Sequence, residues 1–351
     1  MSYLQRSLED SFRGARCLIT GGLGFIGSNL AHRLVALGAE VTILDALLPA
    51  YGGNLFNIES IRARIELVIG DVRDADCLAR VTCGQDYVFS LAGQIGHLDS
   101  MDDPLNDLSI NAEGPLRLLE ACRSGSPLAK VLYASTRQVY GRPRYLPVDE
   151  EHPLQPIDCN AVSNLAAEFY HRIFSDAHGL RTTCLRLTNT YGPRQMMKDG
   201  EGRYAFLYFF LRRALEGQTL RIMGGTQLRD YTYIDDAVDA LILAAARDES
   251  NGRIYNLGGE AATHWQLAQL LLDAVGGGTL EQTMLPPERA LIEVGQVQLD
   301  CSRIERELGW RPRWKLAAGL AETVAYYREH REHYWHAERV HLRHLADLFA
   351  S

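Results

Sequence analysis

Two asparagines in one short segment bear most directly on proton-transfer chemistry in this chain. Asn160 and Asn164 lie in the sequence Pro156-Ile-Asp-Cys-Asn-Ala-Val-Ser-Asn164. A side-chain amide donates and accepts hydrogen bonds, but it does not take up or release a proton near neutral pH. The pair can therefore help to position a ligand, whereas a general acid or base has to come from another residue.

A glycine-rich segment, Thr20-Gly-Gly-Leu-Gly-Phe-Ile-Gly27, lies between a predicted strand and a predicted helix. Its glycines at 22, 24 and 27 satisfy the pattern Gly-x-Gly-x-x-Gly, which allows a tight turn and brings backbone N–H groups against a pyrophosphate. The next predicted strand ends in Asp45, 18 residues after Gly27. A carboxylate at that distance accepts a hydrogen bond from a ribose 2′-OH and repels a 2′-phosphate, which favours NAD over NADP.

The elements that must hold these residues alternate along the first half of the chain. Strand-like runs cover residues 15–22, 40–45, 65–69, 86–91, 130–134 and 182–187, and the first helix covers Ile26–Leu37. Strands that alternate with helical patterns predict an α/β fold with a doubly wound parallel Rossmann sheet.

The pattern changes near residue 190. Helices are predicted at 203–216, 235–247 and 265–275, with short strands at 220–223 and 254–257 and a charged helix over 320–351. We therefore predict an NAD-binding Rossmann domain over residues 1–190, with its core from about residue 15. We also predict a smaller C-terminal substrate-binding lobe over residues 191–320, which is interleaved with the last sheet elements. A helical extension is predicted over residues 321–351.

The composition excludes several classes of protein. Of 351 residues, 46% are hydrophobic and 23% are charged, and a net charge of −8 argues against nucleic-acid binding. No run approaches the ~18 apolar residues of a membrane helix, and no secretory signal is present, so no membrane association and a cytoplasmic location are expected. Seven cysteines without a Cys-x-x-Cys pair predict reduced thiols. No metal site is predicted, because the histidines at 330, 333, 336, 341 and 344 fit an exposed or oligomer-packing helix better.

Several motifs together resemble those of the extended short-chain dehydrogenase/reductase family, the NAD-dependent nucleotide-sugar epimerases and dehydratases. Thr20–Gly27 fits its Thr-Gly-x-x-Gly-x-x-Gly turn, Gly70-Asp-Val-Arg73 its adenine-contacting acid, and Leu91-Ala-Gly93 the strand end beneath the nicotinamide ribose. The resemblance spans roughly residues 15–320. It implies NAD contacts from the residues Gly21, Gly24, Phe25, Ile26, Gly27, Asp45, Asp71, Val72, Leu91, Ala92 and Gly93.

Further motifs resemble the family's nucleotide-diphosphate-sugar site. Ala134-Ser-Thr-Arg-Gln-Val-Tyr-Gly141 resembles the turn whose Ser or Thr, here Thr136, hydrogen-bonds the sugar hydroxyl during catalysis. The segments 186–194 and 227–236 resemble family segments that contact the phosphates or the sugar. The resemblance thus implies substrate contacts from Arg137, Gln138, Asn189, Arg194 and Arg229.

The two residues after Thr136 discriminate between reactions. The family's 4,6-dehydratases carry Asp and Glu there as acid and base, whereas this chain carries Arg137 and Gln138. Neither side chain transfers protons at pH 7, so simple 4,6-dehydration is disfavoured. Arg137 either binds a uronate carboxylate through two hydrogen bonds or turns outward to solvent.

The family's catalytic Tyr-x-x-x-Lys pair coincides with Asn160 and Asn164, while Ser163 and Glu168 keep the family register. The favoured hypothesis is an epimerase-like enzyme that acts on a UDP- or dTDP-sugar through a relocated acid–base group. The candidates for that group are Cys159, which adjoins the altered position, Lys198, His97, His152 and Tyr140. A catalytically inactive sensor or partner subunit that binds NAD and a nucleotide sugar, and an engineered or damaged site, remain as alternatives. The resemblance also implies a homodimer through helices that include residues 160–175.

Overall fold

A computed structural model describes residues 3–48, 51–197, 206–284 and 294–335. In chain order, its strands are β1 (Arg16–Thr20), β2 (Glu40–Asp45), β3 (Ile65–Ile69), β4 (Tyr87–Ser90), β5 (Lys130–Thr136), β6 (Arg181–Leu187), β7 (Asn189–Tyr191), β8 (Leu220–Met223), β9 (Leu228–Tyr233), β10 (Arg253–Leu257), β11 (Glu260–Thr263) and β12 (Leu280–Thr283).

The helices lie between these strands and beyond them. They are α1 (Tyr3–Phe12), α2 (Phe25–Ala36), α3 (Ala75–Thr82), α4 (His97–Asp102), α5 (Pro104–Leu108), α6 (Gly114–Gly125), α7 (Cys159–His178), α8 (Phe206–Leu215), α9 (Ile234–Ala246), α10 (His264–Val275), α11 (Ser302–Leu308) and α12 (Leu316–His330). Short 3₁₀ segments occupy Leu55–Arg64, Arg137–Tyr140, Asp248–Ser250 and Arg331–His333, and a π-helical turn occupies Ser109–Glu113. In the described part of the chain, no helix is long and apolar enough to cross a membrane.

A seven-stranded parallel sheet forms the centre of the fold, in the order β10-β6-β5-β4-β1-β2-β3. Residues of β1 pack alternately into two hydrophobic clusters, Cys17 and Ile19 into one and Leu18 into the other. Strands covered on both faces are apolar almost throughout, which explains the unbroken hydrophobic runs in the sequence. The predicted α/β class with a doubly wound Rossmann sheet is confirmed.

The order of the strands reverses between β1 and β4. From β1 the chain moves outward through β2 and β3, and it then returns to the other side of β1 with β4. At such a switch point the connections leave the carboxyl ends of two neighbouring strands in opposite directions and open a crevice for a ligand. The glycine-rich turn after β1 and Leu91–Gly93 after β4 both reach this crevice.

The last strand of the central sheet comes from the second half of the chain. After β6 the chain leaves this sheet, and it returns as β10, whose Asn256 lies opposite Arg186. The other strands of this half form a three-stranded sheet (β11-β9-β7) and a two-stranded one (β12-β8). The region of the predicted C-terminal lobe, residues 191–320, thus contributes β10 to the central sheet.

The helix predicted over 320–351 differs in the structure. It begins at Leu316 and ends at His330, and a 3₁₀ turn follows. The chain leaves the helix because its next side chains have partners elsewhere: the His333 ring stacks on Phe56 at 3.6 Å between centroids, and the Tyr334 hydroxyl donates to Oδ1 of Asn57. The histidines at 336, 341 and 344 lie outside the described residues.

Candidate active site

A cleft of about 710 Å³ crosses the carboxyl ends of the parallel strands. Its wall contains residues that directly follow or end strands β1 to β6, because all parallel strands end at one edge of the sheet. All the predicted cofactor residues line this cleft, as do Thr136, Arg137, Gln138, Asn160, Asn164, Asn189 and Arg229. A single cleft thus brings together two groups of residues that are far apart in the sequence.

The glycine-rich turn has a geometry that only glycine accommodates at two positions. Gly21 has φ +71°, and a Cβ there would lie 2.8 Å from the Cα of Ala92. A Cβ on Gly27 would lie 2.3 Å from the carbonyl oxygen of Gly21. The helix α2 begins directly after Gly24 with no side chain capping it, so its first N–H groups face the cleft and suit a pyrophosphate.

Two carboxyl groups follow β2 and β3 in the same half of the cleft. Asp45 accepts hydrogen bonds from the backbone N–H groups of Leu23 (2.9 Å) and Leu47 (2.8 Å), which fix its orientation. Burial raises the pKa of Asp45, although both backbone hydrogen bonds oppose that shift. The Arg73 guanidinium hydrogen-bonds Asp71 and holds the pKa of that carboxyl below its usual range. These residues fit NAD, because Asp45 is placed for a ribose hydroxyl and Asp71 for the adenosine end.

The sugar half of the cleft is built on the turn that follows β5. Oγ1 of Thr136 accepts a hydrogen bond from the backbone N–H of Gln138 (3.2 Å) and so caps the 3₁₀ turn 137–140. The Arg137 guanidinium donates to Oε1 of Gln138 (3.1 Å). Both side chains line the cleft, so of the two orientations considered for Arg137 the structure shows the inward one.

Hydrogen bonds within the protein occupy the amides of the two asparagines. Nδ2 of Asn160 donates to the carbonyl oxygen of Gln94 (2.8 Å) and to Oδ2 of Asp107 (3.1 Å). Nδ2 of Asn164 donates to the carbonyl oxygen of Asn160 (2.8 Å), and its Oδ1 accepts from the Tyr133 hydroxyl (2.8 Å). The two amides therefore belong to the wall of the cleft, where they hold neighbouring groups in place.

The structure adds a buried carboxyl group that the sequence did not reveal. Asp107, in α5, is fully buried, and its Oδ2 also accepts from Nδ2 of Asn111 (2.9 Å). Among the described residues, its Oδ1 has no hydrogen-bond partner. No local pattern marks Asp107, because its contact with Asn160 depends on how α5 packs on α7.

A buried ion pair ties the Thr136 turn to α7. The Arg186 guanidinium binds Glu168 through Nε (2.9 Å) and Nη2 (2.7 Å), and each side chain is only 2% exposed. Glu168 also accepts a hydrogen bond from Ser135, next to Thr136. The Glu168 that keeps the family register thus fixes the position of the turn relative to the helix that carries both asparagines.

The remaining part of the cleft combines aromatic rings and arginines. Nδ2 of Asn189 donates to the carbonyl oxygen of Asp230 (3.0 Å), and Arg229 donates to the carbonyl oxygen of Leu228 (2.8 Å). Residues of this part that sequence reasoning missed include Phe206, Phe209, Arg213, Arg221 and His264. Burial lowers the pKa of His264 to about 3, so this ring is neutral beside the arginines.

Two predicted site residues do not line the cleft. Arg194 has φ +78°, and its guanidinium donates to Oδ1 of Asn29 (2.7 Å) and lies over the ring of Tyr326. Cys159 is the first residue of α7 and is absent from the wall, whereas Asp158 and Asn160 on either side of it are present. The roles assigned to these two residues therefore stay predictions, without support from the cleft geometry.

The other candidates for a relocated acid–base group differ in burial and in whether they line the cleft. Tyr140 is buried, with its hydroxyl bonded to Asn256 and Arg186. His152 is buried, with Nε2 accepting from the backbone N–H of Arg144 and Nδ1 bonded to the carbonyl oxygen of Pro153. Lys198 lies outside the described residues. His97 differs, because it lines the cleft and its side chain is 35% exposed.

His97 lies between two polar side chains at the sugar end. Its Nδ1 is 3.0 Å from Oδ2 of Asp158, and its Nε2 is 3.3 Å from Nε2 of Gln138. Burial raises the pKa of Asp158, but His97, the backbone N–H of Ala161 and the charge of Arg137 together leave this pKa below its usual value. Asp158 could have been found from the sequence as a helix N-cap, since its Oδ1 accepts from the backbone N–H of Ala161 (2.7 Å).

Comparison with known proteins identifies the family of this chain. Residues 17–258 match the model of the NAD dependent epimerase/dehydratase family. A UDP-glucose 4-epimerase of Mycolicibacterium smegmatis is 34% identical over 315 residues, which cover 89% of this chain and 98% of that protein. The chain belongs to the NAD dependent epimerase/dehydratase family.

Solved structures show the same similarity. DesIV of Streptomyces venezuelae, a dTDP-glucose 4,6-dehydratase with NAD bound, has a TM-score of 0.83 and 31% identity over 92% of this chain and 99% of that one. A UDP-glucose 4-epimerase of Thermotoga maritima with UDP-glucose has a TM-score of 0.81 and 30% identity over 90% of this chain and 99% of that one. The family is NAD-dependent, and these relatives are enzymes.

Proposed function

We propose that this protein is an NAD-dependent epimerase of a UDP- or dTDP-linked sugar, with an acid–base group that lies outside positions 160 and 164. The observation that carries the proposal is the single cleft, whose wall holds the glycine-rich turn and Asp45 together with Thr136, Asn189 and Arg229. Bound NAD supplies reversible hydride acceptance from a sugar carbon. The residues of the other half would bind and orient the sugar nucleotide.

Epimerisation is favoured over dehydration because of the turn after β5. Elimination of water needs an acid and a base beside the departing hydroxyl, and the inward-facing side chains there are Arg137 and Gln138. The relatives include both epimerases and 4,6-dehydratases at comparable identity, so the choice rests on these two side chains.

A uronate is a specific candidate for the sugar. Arg137 lines the cleft near the sugar end, and a guanidinium binds a carboxylate through two parallel hydrogen bonds. In this proposal Arg229 lies near the diphosphate of the substrate, and Arg137 lies near its sugar. UDP-glucuronate is accordingly the first sugar nucleotide to test.

A catalytically inactive protein that binds NAD and a nucleotide sugar is the second candidate. It is favoured by the hydrogen bonds of Asn160 and Asn164, since both amides serve internal partners and neither transfers protons. A sensor of this kind would keep every binding residue and lack turnover.

The decisive experiment measures turnover and binding on the same preparation. UDP- and dTDP-sugars, including UDP-glucuronate, are incubated with NAD-loaded protein in D₂O, and epimers, deuterium at C4 or C5, and NADH absorbance are recorded. We expect an epimer from at least one substrate. Calorimetric binding without turnover would support the inactive binder, and no affinity for NAD would contradict both candidates.

The double change Asn160→Tyr and Asn164→Lys tests where the chemistry resides. Restoration of the family pair introduces a phenol and an ammonium where the chain has amides. If the acid–base group has been relocated, this variant should gain no 4-epimerase activity over the wild type. A large gain would instead indicate a decayed or altered family site.

A further inference from the structure

Asp158 and Gln138 lie next to the two nitrogens of the His97 ring. Asp158 is almost fully buried, its carboxylate lies 3.0 Å from Nδ1 of His97, and its other oxygen is held by the N-terminus of α7. A carboxylate beside one ring nitrogen favours the tautomer that carries its proton on that nitrogen. The Gln138 amide nitrogen near Nε2 agrees, because an N–H group there faces a lone pair. The Nε2 atom is therefore a proton acceptor.

Hydrogen bonds link the surroundings of His97 to Thr136 and to Asn160. Gln138, which contacts Nε2, also donates its backbone N–H to Oγ1 of Thr136. From the other side, Ser100 of the same short helix α4 accepts the backbone N–H of Asn160 (3.1 Å). His97 is thus linked, through Gln138 and through its own helix α4, to Thr136 and to position 160. The family resemblance places both of these residues beside the reacting hydroxyl.

The other ionisable groups at this end of the cleft are less suited to proton transfer than His97. Tyr133 lines the wall, but burial raises its pKa well above 10, and its hydroxyl donates to Asn164. Arg137 remains protonated at any working pH. Asp158 is only 2% exposed and directed at the imidazole. His264 also lines the cleft, but burial lowers its pKa to about 3 and makes it a weak base. His97 lines the cleft with its side chain 35% exposed and its Nε2 next to Gln138.

We propose that His97 is the catalytic base and acid of this site, and that Asp158 is its positioning residue; the assignment rests on the proposed epimerase function. Nε2 takes the proton of the sugar hydroxyl as the O–H and C–H bonds of that carbon break and a C=O double bond forms. The hydride goes to NAD⁺, so the chemistry needs no other oxidant. When hydride returns to the opposite face of the carbon, the imidazolium gives the proton back to oxygen.

The first test uses substitution and chemical rescue. His97→Gln and His97→Ala should lower kcat by ~10²–10⁴-fold, the usual cost of losing a general base, while the affinities for NAD and UDP stay within about threefold. Added imidazole should restore part of the rate of His97→Ala and none of the rate of His97→Gln. His178→Gln, at the exposed C-terminal end of α7, is the matched control with unchanged kcat. A His97→Gln enzyme that keeps more than about a tenth of kcat would overturn the assignment.

The second test does not depend on turnover. In ¹⁵N-histidine NMR spectra of the NAD-loaded protein, the signals lost in His97→Gln should be those of the tautomer that carries its proton on Nδ1. Asp158→Asn keeps a residue able to cap α7, and it should move the ring toward the Nε2-protonated tautomer and lower kcat with little change in KM. An Nε2-protonated wild-type ring would overturn the assignment.

The two proposals fail in different ways. If the wild type converts no sugar nucleotide in the panel, the epimerase function and the role of His97 are both rejected. If the wild type turns over and His97→Gln turns over comparably, only the role of His97 is rejected.

Discussion

At the scale of single residues, Asn160 stabilises the wall of the cleft by serving a buried carboxyl group. Asp107 has no exposed surface, and Asn160 and Asn111 are the amide donors to its Oδ2. Burial of a polar group is costly unless it is hydrogen-bonded. A tyrosine at position 160 would remove one of these amide donors. The burial of Asp107 is therefore favourable only when position 160 supplies a hydrogen-bond donor such as asparagine.

The Asn160→Ala substitution should therefore destabilise the protein by about 1–3 kcal/mol, the cost of leaving a buried polar group with one partner fewer. Urea denaturation at pH 7 measures the loss. In a double-mutant cycle, Asp107→Asn combined with Asn160→Ala should be less destabilised than the sum of the single variants, with a coupling of roughly 1 kcal/mol. Strict additivity would show that the two side chains do not depend on each other.

At the scale of elements, α5 and α7 contact each other and present apolar side chains to solvent. Leu105 of α5 is 77% exposed, and Val162, Phe169 and Ile173 of α7 are each about half exposed. Phe174 of the same helix is buried in the core, so the exposed apolar side chains form a stripe of α7 distinct from its core face. A contiguous apolar patch of this kind is typical of an interface, which supports the proposed homodimer.

If the predicted homodimer forms, the Phe169→Glu substitution should convert it to a monomer, because it places a charge in the centre of this patch. Sedimentation velocity at micromolar concentration measures the change, and the far-UV circular dichroism should stay unchanged since the position is exposed. Leu128→Glu, at an 81% exposed residue that precedes β5, is the control that should remain dimeric. A monomeric wild type would reject the dimer outright.

At the scale of the whole molecule, Asp230 couples the small sheet to the rest of the chain. It lies on β9, is 2% exposed, and its Oδ2 accepts the backbone N–H of Leu299 (2.6 Å). Leu299 in turn bridges to Val148 of the first half of the chain. Burial raises the pKa of Asp230 to about 6, although the hydrogen bond from Leu299 and the charge of Arg137 lower it.

A raised pKa in the folded state predicts a pH-dependent loss of stability. The folded protein holds the Asp230 proton more tightly than the unfolded chain does. The stabilisation that the protonated Asp230 gives the folded state is therefore full below about pH 4, and it is lost as the pH rises through about 6. Asp230→Asn should consequently gain on the order of 2–3 kcal/mol relative to the wild type between pH 4 and pH 7.

Urea titrations at pH 4.5, 5.5 and 7 test this difference. Asp300→Asn is the control, because hydrogen bonds from Ser302 lower the pKa of Asp300, so its stabilisation is already full at pH 4.5 and its loss should be the same at all three pH values. If the free energy of unfolding of Asp230→Asn changed with pH in the same way as that of the wild type, the shifted pKa would be contradicted.

The parts of the fold and site that depend on local patterns could be predicted from the sequence. The glycine-rich turn, Asp45 and the strand-end residue Thr136 all line the cleft, because each lies next to a strand end that its own neighbours specify. The contacts of His97 with Asp158 and of Asp107 with Asn160 could not be predicted. They join residues more than fifty positions apart, and they exist only because α4 and α5 pack against α7.

The position of β10 at the edge of the central sheet has a consequence for biosynthesis. About 65 residues separate the end of β6 from the start of β10, and a ribosome that adds ~5–20 residues per second needs roughly 3–13 s to produce them. During that interval the nascent chain exposes β6 as an unpaired edge, and Tyr140 lacks its hydrogen bond to Asn256. A chaperone that shields this edge would act between the synthesis of residue 187 and that of residue 257.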